Sequence, residues 1–229
     1  MIAFFNDSHQ AHAPAYEFFR GERVPCIETP ARAEHVKEQL SARGHVLRVP
    51  QTDSRALLSV VPAPRYLAFL ENAWRDWCAL EPGNGQRQPF PWVWPVRTLR
   101  SNVEPANFIA RLGLYSLDNG SPLSAGTWLA AKAGADAAAS AAALLAGGRS
   151  HERAAFCCSR PPGHHAGADF MGSYCFLNNA AVAAQALRDG GADRVAVLDV
   201  DYHHGNGTQS IFYERADVLF VSLHGGSAD

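Results

Sequence analysis

The stretch LDVDYHHGNGTQ, residues 198–209, places two aspartates, two histidines and two glycines at the end of an apolar run. That run predicts a buried strand over 195–201. Residues two apart on a strand share a face and lie about 6.6 Å apart, so Asp199, Asp201 and His203 are expected on one side. Asp201 and His203 can then reach one ion, whereas Asp199 would lie about 13 Å from His203 and suits a supporting role.

A carboxylate and an imidazole are ligands typical of zinc or another divalent first-row metal rather than of calcium or magnesium. Two ligands do not close a site, so at least one more has to come from elsewhere in the protein. The glycines of GNGT, 205–208, allow the backbone to turn sharply beside the cluster. The same residues could instead form a capped turn with solvated histidines, and the spacing alone leaves both interpretations open.

The rest of the chain alternates between strand and helix patterns. Strands are predicted over 1–5, 45–50, 154–159, 195–201 and 217–224, and helices over 31–44, 64–80, 124–148 and 178–191. This alternation predicts a single α/β domain over 1–229, with a parallel sheet and helices on both faces. Ligand sites in such sheets lie at the carboxyl ends of the strands. The polar clusters that follow predicted strands here are RPPGHHAG at 160–167, DYHHGNG at 201–207 and HGG at 224–226.

Composition narrows the functional classes. The chain has 229 residues, 47% of them hydrophobic, and a formal net charge of −2, which argues against binding nucleic acid or a membrane surface through bulk charge. The first residues lack the features of a secretory signal. The alanine-rich segment near 129–148 carries Lys132 and Asp136, which favours a soluble helix with Ser124 as its cap and Gly147–Gly148 as its stop. Five cysteines without a CxxC pair predict reduced thiols and a cytoplasmic protein.

The segment 81–122 is rich in proline, glycine and aromatic residues. A loop of this length in a compact domain is usually functional, for example a lid or an interface. The alternative is an extended surface loop held in place by Trp92 and Trp94.

His164 and His165 follow the rigid PPG turn at the end of a predicted strand. Paired histidines beside a metal-bound water can act as general base and electrostatic partner. Next to the Asp-x-His-His cluster of the neighbouring strand end, they indicate hydrolysis. The remaining histidines considered have no such context and are predicted to be structural or solvated: His9, His12, His35, His45 and His151.

Four blocks together resemble the histone deacetylase family, and within it the bacterial acetylpolyamine amidohydrolases. These blocks are RPPGHHAG, YCFLNNAAVAAQ, LDVDYHHGNGTQ and IFYERADVLFVSLHG, in the family's order; PARAEHV, YLAFLENAW and PVR extend the likeness more loosely. The resemblance implies an arginase/deacetylase-like α/β fold. One small departure is Pro62, where the family often has a histidine.

The resemblance also implies roles for individual residues. Asp201 and His203 match two of three protein ligands of a catalytic Zn2+, and His164 and His165 match tandem active-site histidines. Asp199 matches the carboxylate that hydrogen-bonds the first histidine, Asn206 the group that orients the second, and Tyr174 an aromatic residue of the substrate channel. The resemblance further implies a monovalent-cation site, usually K+, at Asp199, Ser222 and Leu223 with the neighbouring backbone.

By this likeness, the protein is expected to hydrolyse the acetyl amide of acetylated polyamines or related small amines, releasing acetate and free amine. His165 would accept the proton from the attacking water, with His164 assisting electrostatically. An enzyme alternative is a protein acetyl-lysine deacetylase, and a non-enzyme alternative is a catalytically incomplete member of the family.

The sequence stops before the family's third zinc ligand, an aspartate, and its oxyanion-stabilising tyrosine, so it is expected to be an N-terminal portion of the fold. His224 and Asp229 are weak substitutes for the missing ligand. The likeness further predicts a homodimer through the 81–122 loop. Glu104 in that loop is expected to contact a cationic amine, with Asp118 as a possible second acidic partner.

Overall fold

The computed structural model describes residues 1–95, 102–146 and 151–226. The strands are β1 (Ile2–Phe4), β2 (Tyr16–Phe19), β3 (Glu22–Pro25), β4 (Val46–Arg48), β5 (Ala155–Cys157), β6 (Val195–Asp199) and β7 (Val218–Ser222). The α-helices are α1 (Pro30–Ala42), α2 (Arg55–Leu58), α3 (Pro64–Leu80), α4 (Phe108–Leu114), α5 (Thr127–Ala146), α6 (Asn179–Asp189) and α7 (Asn206–Phe212). Short 3₁₀ helices cover Asp7–Ala11 and Asn84–Gln86.

A three-stranded parallel sheet in the order β4-β1-β5 forms the centre of the fold. Successive residues of β1 point to opposite faces. Ala3 packs in one cluster with residues of α1, whereas Ile2 and Phe4 pack in another with residues of α5. Helices therefore cover both faces of this sheet, as the strand–helix alternation predicted.

The other two parallel strands, β6 and β7, form a separate two-stranded sheet among the described residues. Residues of α6 and α7 pack against the face that carries Val195 and Val197. On the opposite face Leu198 and Leu219 are each 62% exposed, and Val221 is 39% exposed. The parallel α/β architecture is confirmed, but its strands lie in two sheets here, and the second sheet is covered on one face.

Strand β6 ends at Asp199, two residues before the predicted end. The reason is a pair of Asx turns: the Asp201 amide donates to Oδ1 of Asp199, and the His203 amide donates to Oδ1 of Asp201. These bonds offer the backbone an alternative to the sheet ladder. The prediction that the strand continues through 201 was therefore wrong by two residues.

The 81–122 segment is not one continuous loop, because it contains α4 and the 3₁₀ turn at Asn84–Gln86; residues 96–101 lie outside the described ranges. One of its buried anchors is Phe90, which is 5% exposed. The Phe90 ring packs on Tyr16 and Phe18 of the β2–β3 hairpin, with centroids 5.6 and 4.8 Å away. Trp92 and Trp94, the expected anchors, are 70% and 45% exposed.

Helix α5 is long and apolar enough to cross a membrane, but 61% of its most apolar window is buried inside the protein. It begins at Thr127, three residues after the predicted start, and the Thr127 hydroxyl oxygen accepts a hydrogen bond from the Ser124 amide. The expected Gly147–Gly148 stop lies outside the described residues. All five cysteines are free thiols.

Candidate active site

His164 and His165 lie in the turn after β5, and each ring has its own partner. Nδ1 of His164 lies 2.9 Å from Oδ2 of Asp199, and Nδ1 of His165 lies 2.6 Å from Oδ1 of Asn206. The two ring centroids are 4.0 Å apart. The structure thus places each histidine beside the partner that the resemblance assigns to it.

These partners determine which ring nitrogen carries the proton. Carboxylate and amide oxygens accept hydrogen bonds, so both Nδ1 atoms are donors and both Nε2 atoms are left to act on a ligand. Burial lowers the pKa of His165; the hydrogen bond to Asn206 raises it by less, and nearby His164 lowers it further. His165 is therefore held neutral, with a free base nitrogen at Nε2.

Two glycines allow the chain to approach these residues closely. A Cβ at Gly205 would collide with Oδ2 of Asp199, the atom that contacts His164. A Cβ at Gly207 would collide with the backbone of His165 and of the residue that follows it. Both positions in the GNG sequence therefore require glycine for packing, although the sequence suggested only a sharp turn.

Asp201 and His203 lie at the rim of the tandem histidines. Oδ1 of Asp201 lies 3.5 Å from Nδ1 of His203 and 3.8 Å from Nε2 of His164. The Asp201 and His203 side chains are 53% and 72% exposed. Partial burial raises the pKa of Asp201, but the His203 amide and the two imidazoles lower it by more, so the carboxylate is favoured.

The donor set fits zinc in chemistry and spacing but not in number. Two ligand atoms of a tetrahedral zinc lie about 3.3 Å apart, close to the 3.5 Å between Asp201 Oδ1 and His203 Nδ1. Across the described ranges, however, no group of three or more histidine, cysteine, aspartate or glutamate side chains could hold a metal. His224 does not join the pair: its Nδ1 lies 2.9 Å from the Ser222 hydroxyl, and its ring lies 4.6 Å from that of His204 at an angle of 49°. Asp229 lies outside the described residues.

The predicted cation-site residues are neighbours. Asp199 and Ser222 are partners in the β6–β7 register, and the Leu223 amide donates to the Asp199 carbonyl at 2.9 Å. The structure therefore brings the three residues together at the end of the second sheet.

Tyr174 contacts a buried acid that sequence reasoning missed. Its hydroxyl donates to Oε1 of Glu17 at 3.0 Å, and Glu17 is only 5% exposed. Burial, followed by the Glu17 hydrogen bond, raises the pKa of Tyr174. Ser173 and Tyr174 both adopt left-handed backbone, with φ of 43° and 69°, at a cost of about 1–2 kcal/mol per non-glycine residue.

The two acidic residues expected to contact an amine have other partners. Glu104 lies 3.8 Å from Nη1 of Arg111 on α4, and its hydrogen bond and charge, after burial, raise the pKa of Tyr115. Asp118 accepts hydrogen bonds from the amides of Gly120 and Ser173 and from the Ser173 hydroxyl. The described contacts of Glu104 do not include the tandem histidines.

A buried ion pair, which no sequence pattern indicated, anchors the turn that carries the histidines. Nε of Arg160 lies 2.9 Å from the Glu28 carboxylate, and the two side chains are each 3% exposed. Arg160 also donates to the carbonyls of His9 and Glu28. Burial raises the pKa of Glu28 and lowers that of Arg160, while each charge opposes the shift of the other.

Asn178 is a second anchor that the sequence analysis passed over. Its amide group donates to the Ala166 carbonyl at 3.0 Å and to the Thr208 hydroxyl at 2.9 Å. Its oxygen accepts from the Ala181 amide and so caps α6. An asparagine directly before a predicted helix is a recognisable cap signal, but its contacts with the histidine turn are not visible in sequence.

Comparison with known proteins shows the family to which the chain belongs. The histone deacetylase domain matches residues 26–228, and the chain belongs to that family. It is 48% identical over 226 residues to acetylpolyamine amidohydrolase 2 of Pseudomonas aeruginosa, covering 98% of this chain and 64% of that protein. It is 42% identical over 231 residues to the acetylpolyamine amidohydrolase of Mycoplana ramosa, covering 100% of this chain and 65% of the relative.

Solved structures show the same fold. A crystal structure of an acetylpolyamine aminohydrolase from Burkholderia pseudomallei aligns with a TM-score of 0.90 at 38% identity, covering 99% of this chain and 64% of that one. The HD domain of HDA15 aligns with a TM-score of 0.70 at 23% identity and supports the fold alone. The chain thus spans slightly less than two thirds of the length of these amidohydrolases.

Proposed function

We propose that this chain carries the tandem-histidine side of the active site of a zinc-dependent amidohydrolase, which removes the acetyl group from acetylated polyamines or related small amines. The observation that carries the proposal is the pair of differently partnered imidazoles, His164 with a carboxylate and His165 with an amide, beside Asp201 and His203. The names of the similar proteins support the substrate class.

The two histidines have different chemical roles in this proposal. His165 is neutral, with Nδ1 tied to Asn206, so its Nε2 accepts the proton of the attacking water. His164 donates Nδ1–H to Asp199, so the carboxylate orients that ring. In this proposal His164 assists electrostatically as negative charge develops on the acetyl carbonyl oxygen.

Asp201 and His203 are the residues proposed to hold zinc, with a third ligand from outside the described residues. Bound zinc would polarise the acetyl carbonyl and lower the pKa of a water molecule. Asp199 orients His164 and, through its other oxygen, receives the amide of Asp201, so one carboxylate positions both parts of the site. We place K+ at Asp199, Ser222 and Leu223 in the same proposal.

The test is acetate release by the full product of the gene that encodes this chain, its mass checked by mass spectrometry. N-acetylputrescine and an acetyl-lysine peptide are compared, with and without added Zn2+. We expect metal-dependent release, faster from the acetylated diamine, and a loss of about 10²–10⁴-fold in His165→Ala. His151→Ala removes an exposed imidazole outside the site and serves as the matched control.

Other outcomes are decisive as well. Preference for the peptide would favour the protein deacetylase alternative. No release with either substrate in the presence of Zn2+ would contradict the enzymatic proposal and favour a catalytically incomplete member. Equal rates in His165→Ala and His151→Ala would remove His165 from the mechanism.

Self-association through the 81–122 segment is a further part of the proposal, and exposed Trp92 and Trp94 support it. Analytical ultracentrifugation of the wild type and of a Trp92→Ala/Trp94→Ala variant tests it. We expect a dimer that the double substitution weakens; a monomeric wild type would overturn this part. A cytoplasmic location is proposed from the free thiols and is tested by cell fractionation.

A further inference from the structure

The carboxylate of Asp118 joins two loops, residues 117–120 and residues 171–175. Oδ1 of Asp118 accepts from the amides of Gly120 at 2.7 Å and Ser173 at 3.0 Å, and Oδ2 accepts from the Ser173 hydroxyl at 2.6 Å. Backbone bonds run beside it: the Leu117 amide donates to Met171, and the Tyr174 amide donates to Gly120. Asp118 therefore lies at the centre of the contact between the two loops.

The loop that Asp118 holds has a backbone that needs external support. Ser173 and Tyr174 are consecutive non-glycine residues with positive φ, a conformation that persists only where the surroundings fix it. The main-chain amide and side-chain hydroxyl of Ser173 both bind the same carboxylate. These two hydrogen bonds therefore hold Ser173, the first residue of the left-handed turn, in place.

The turn sets the direction of Tyr174, whose hydroxyl reaches the buried carboxylate of Glu17. The Asp118 charge also lies close enough to His165 to favour its protonated form, although burial of His165 outweighs it. One side chain outside the catalytic pair is therefore connected to both the channel residue and the proton-accepting histidine.

We propose that Asp118 is a positioning residue: its hydrogen bonds to Ser173 hold the left-handed turn that places Tyr174 in the site. It does not bind the substrate amine, because its oxygens are already occupied by protein donors. The role of Tyr174 in a substrate channel rests on the proposed function. That Asp118 holds the turn is a structural statement and does not depend on that function.

The structural part is tested by hydrogen exchange on the full product of the gene that encodes this chain. In Asp118→Ala the amides of Gly120 and Ser173 lose their acceptor, so peptides covering 117–121 and 171–175 should exchange at least about tenfold faster, while α5 is unchanged. Asp118→Asn keeps an acceptor oxygen and should give a smaller effect, which keeps the test usable if the alanine variant folds poorly. Asp169→Asn removes a half-exposed carboxylate from the same region and is the control. Unchanged exchange in Asp118→Ala would overturn the proposal.

The functional part is tested with two substrates of different charge, cationic N-acetylputrescine and neutral N-butylacetamide. A positioning role predicts that Asp118→Ala lowers kcat/KM by a similar factor for both substrates. Asp118→Asn should then retain most of the wild-type kcat/KM. A loss confined to the cationic substrate, equal in the asparagine and alanine variants, would instead make Asp118 an amine contact. If the wild type hydrolyses neither substrate, the proposed function fails, while the exchange result still decides whether Asp118 holds the turn.

Discussion

His164 donates Nδ1–H to a carboxylate oxygen of Asp199 across 2.9 Å, whereas its neighbour His165 makes the corresponding bond to an uncharged amide. The two rings thus differ in the charge of the group that each contacts. The Asn206 amide oxygen fixes the tautomer of His165 and raises the pKa of that ring by less than burial lowers it, whereas Asp199 brings a negative charge to His164. The different roles proposed for the two histidines follow from this difference.

Substitution of Asn206 by aspartate should therefore change the pH dependence of activity. The His165 pKa is lowered below its ordinary 6.5, so the neutral base persists below that pH. Asn206→Asp adds a negative charge, raises the His165 pKa and moves the acidic limb of the kcat/KM profile to higher pH. The profile is measured between pH 5 and 9, with Asn206→Ala as the neutral comparison. An unshifted acidic limb would show that His165 does not control it.

Loss of the Asp199 charge should weaken catalysis without unfolding the protein. Asp199→Asn keeps the size of the side chain but removes the carboxylate that supports His164 and receives the Asp201 amide. Removal of such a partner costs about 10–100-fold in activity or metal affinity. Steady-state kinetics and circular dichroism are compared with Asp193→Asn, which alters an exposed carboxylate. Activity within twofold of that control would contradict the assigned role.

Metal binding can be tested separately from turnover. Co2+ gives visible absorption when bound by protein ligands, and its titration reports affinity. Asp201→Ala and His203→Ala should each weaken Co2+ binding at least as much as the roughly 10–100-fold loss caused by outer partners of metal ligands. His151→Ala, as the exposed imidazole control, should leave the affinity unchanged. Equal affinity in all three variants would mean that cobalt binds elsewhere.

The sequence was sufficient for the parts of the fold and site that depend on local patterns. Helix α3 was predicted at its observed bounds because its apolar spacing and its initial Pro64 are local signals. The histidine cluster was located because polar residues that follow parallel strands meet at one edge of a sheet.

The parts that could not be predicted are contacts between distant residues. Arg160 and Glu28 are 132 positions apart, and Tyr174 and Glu17 are 157 apart, so no short pattern links them. The early end of β6 was missed for a different reason. Aspartates can continue a strand or cap a turn, and the Asx bonds that decide between these outcomes depend on side-chain orientation.

The buried His12 should make stability depend on pH. Burial, followed by the charge of Arg160, lowers the His12 pKa from 6.5 to about 3. Below pH 6.5 the unfolded chain takes up a proton at His12 that the folded protein does not. The contribution of neutral His12 to the free energy of unfolding is therefore fully present above pH 6.5 and is lost as the pH falls toward 3. At pH 5 the loss is about 2 kcal/mol. His12→Asn should be less stable at pH 7 but have a flatter dependence of Tm on pH, whereas His151→Asn should follow the wild type. Parallel curves for wild type and His12→Asn would refute this account.

Finally, the hydrogen bond between Tyr174 and Glu17 should contribute to stability as well as to the shape of the site. Tyr174→Phe removes the hydroxyl that donates to a carboxylate only 5% exposed, leaving the weaker 3.4 Å contact from the Ile27 amide to the other oxygen. Loss of a donor to a buried acceptor costs about 1–3 kcal/mol. Urea unfolding should show this decrease in Tyr174→Phe and not in Tyr213→Phe, whose ring is 77% exposed. Because glutamine presents a neutral acceptor, the loss on Tyr174→Phe should be smaller in a Glu17→Gln background. Strict additivity of the two substitutions would show that the two side chains do not interact.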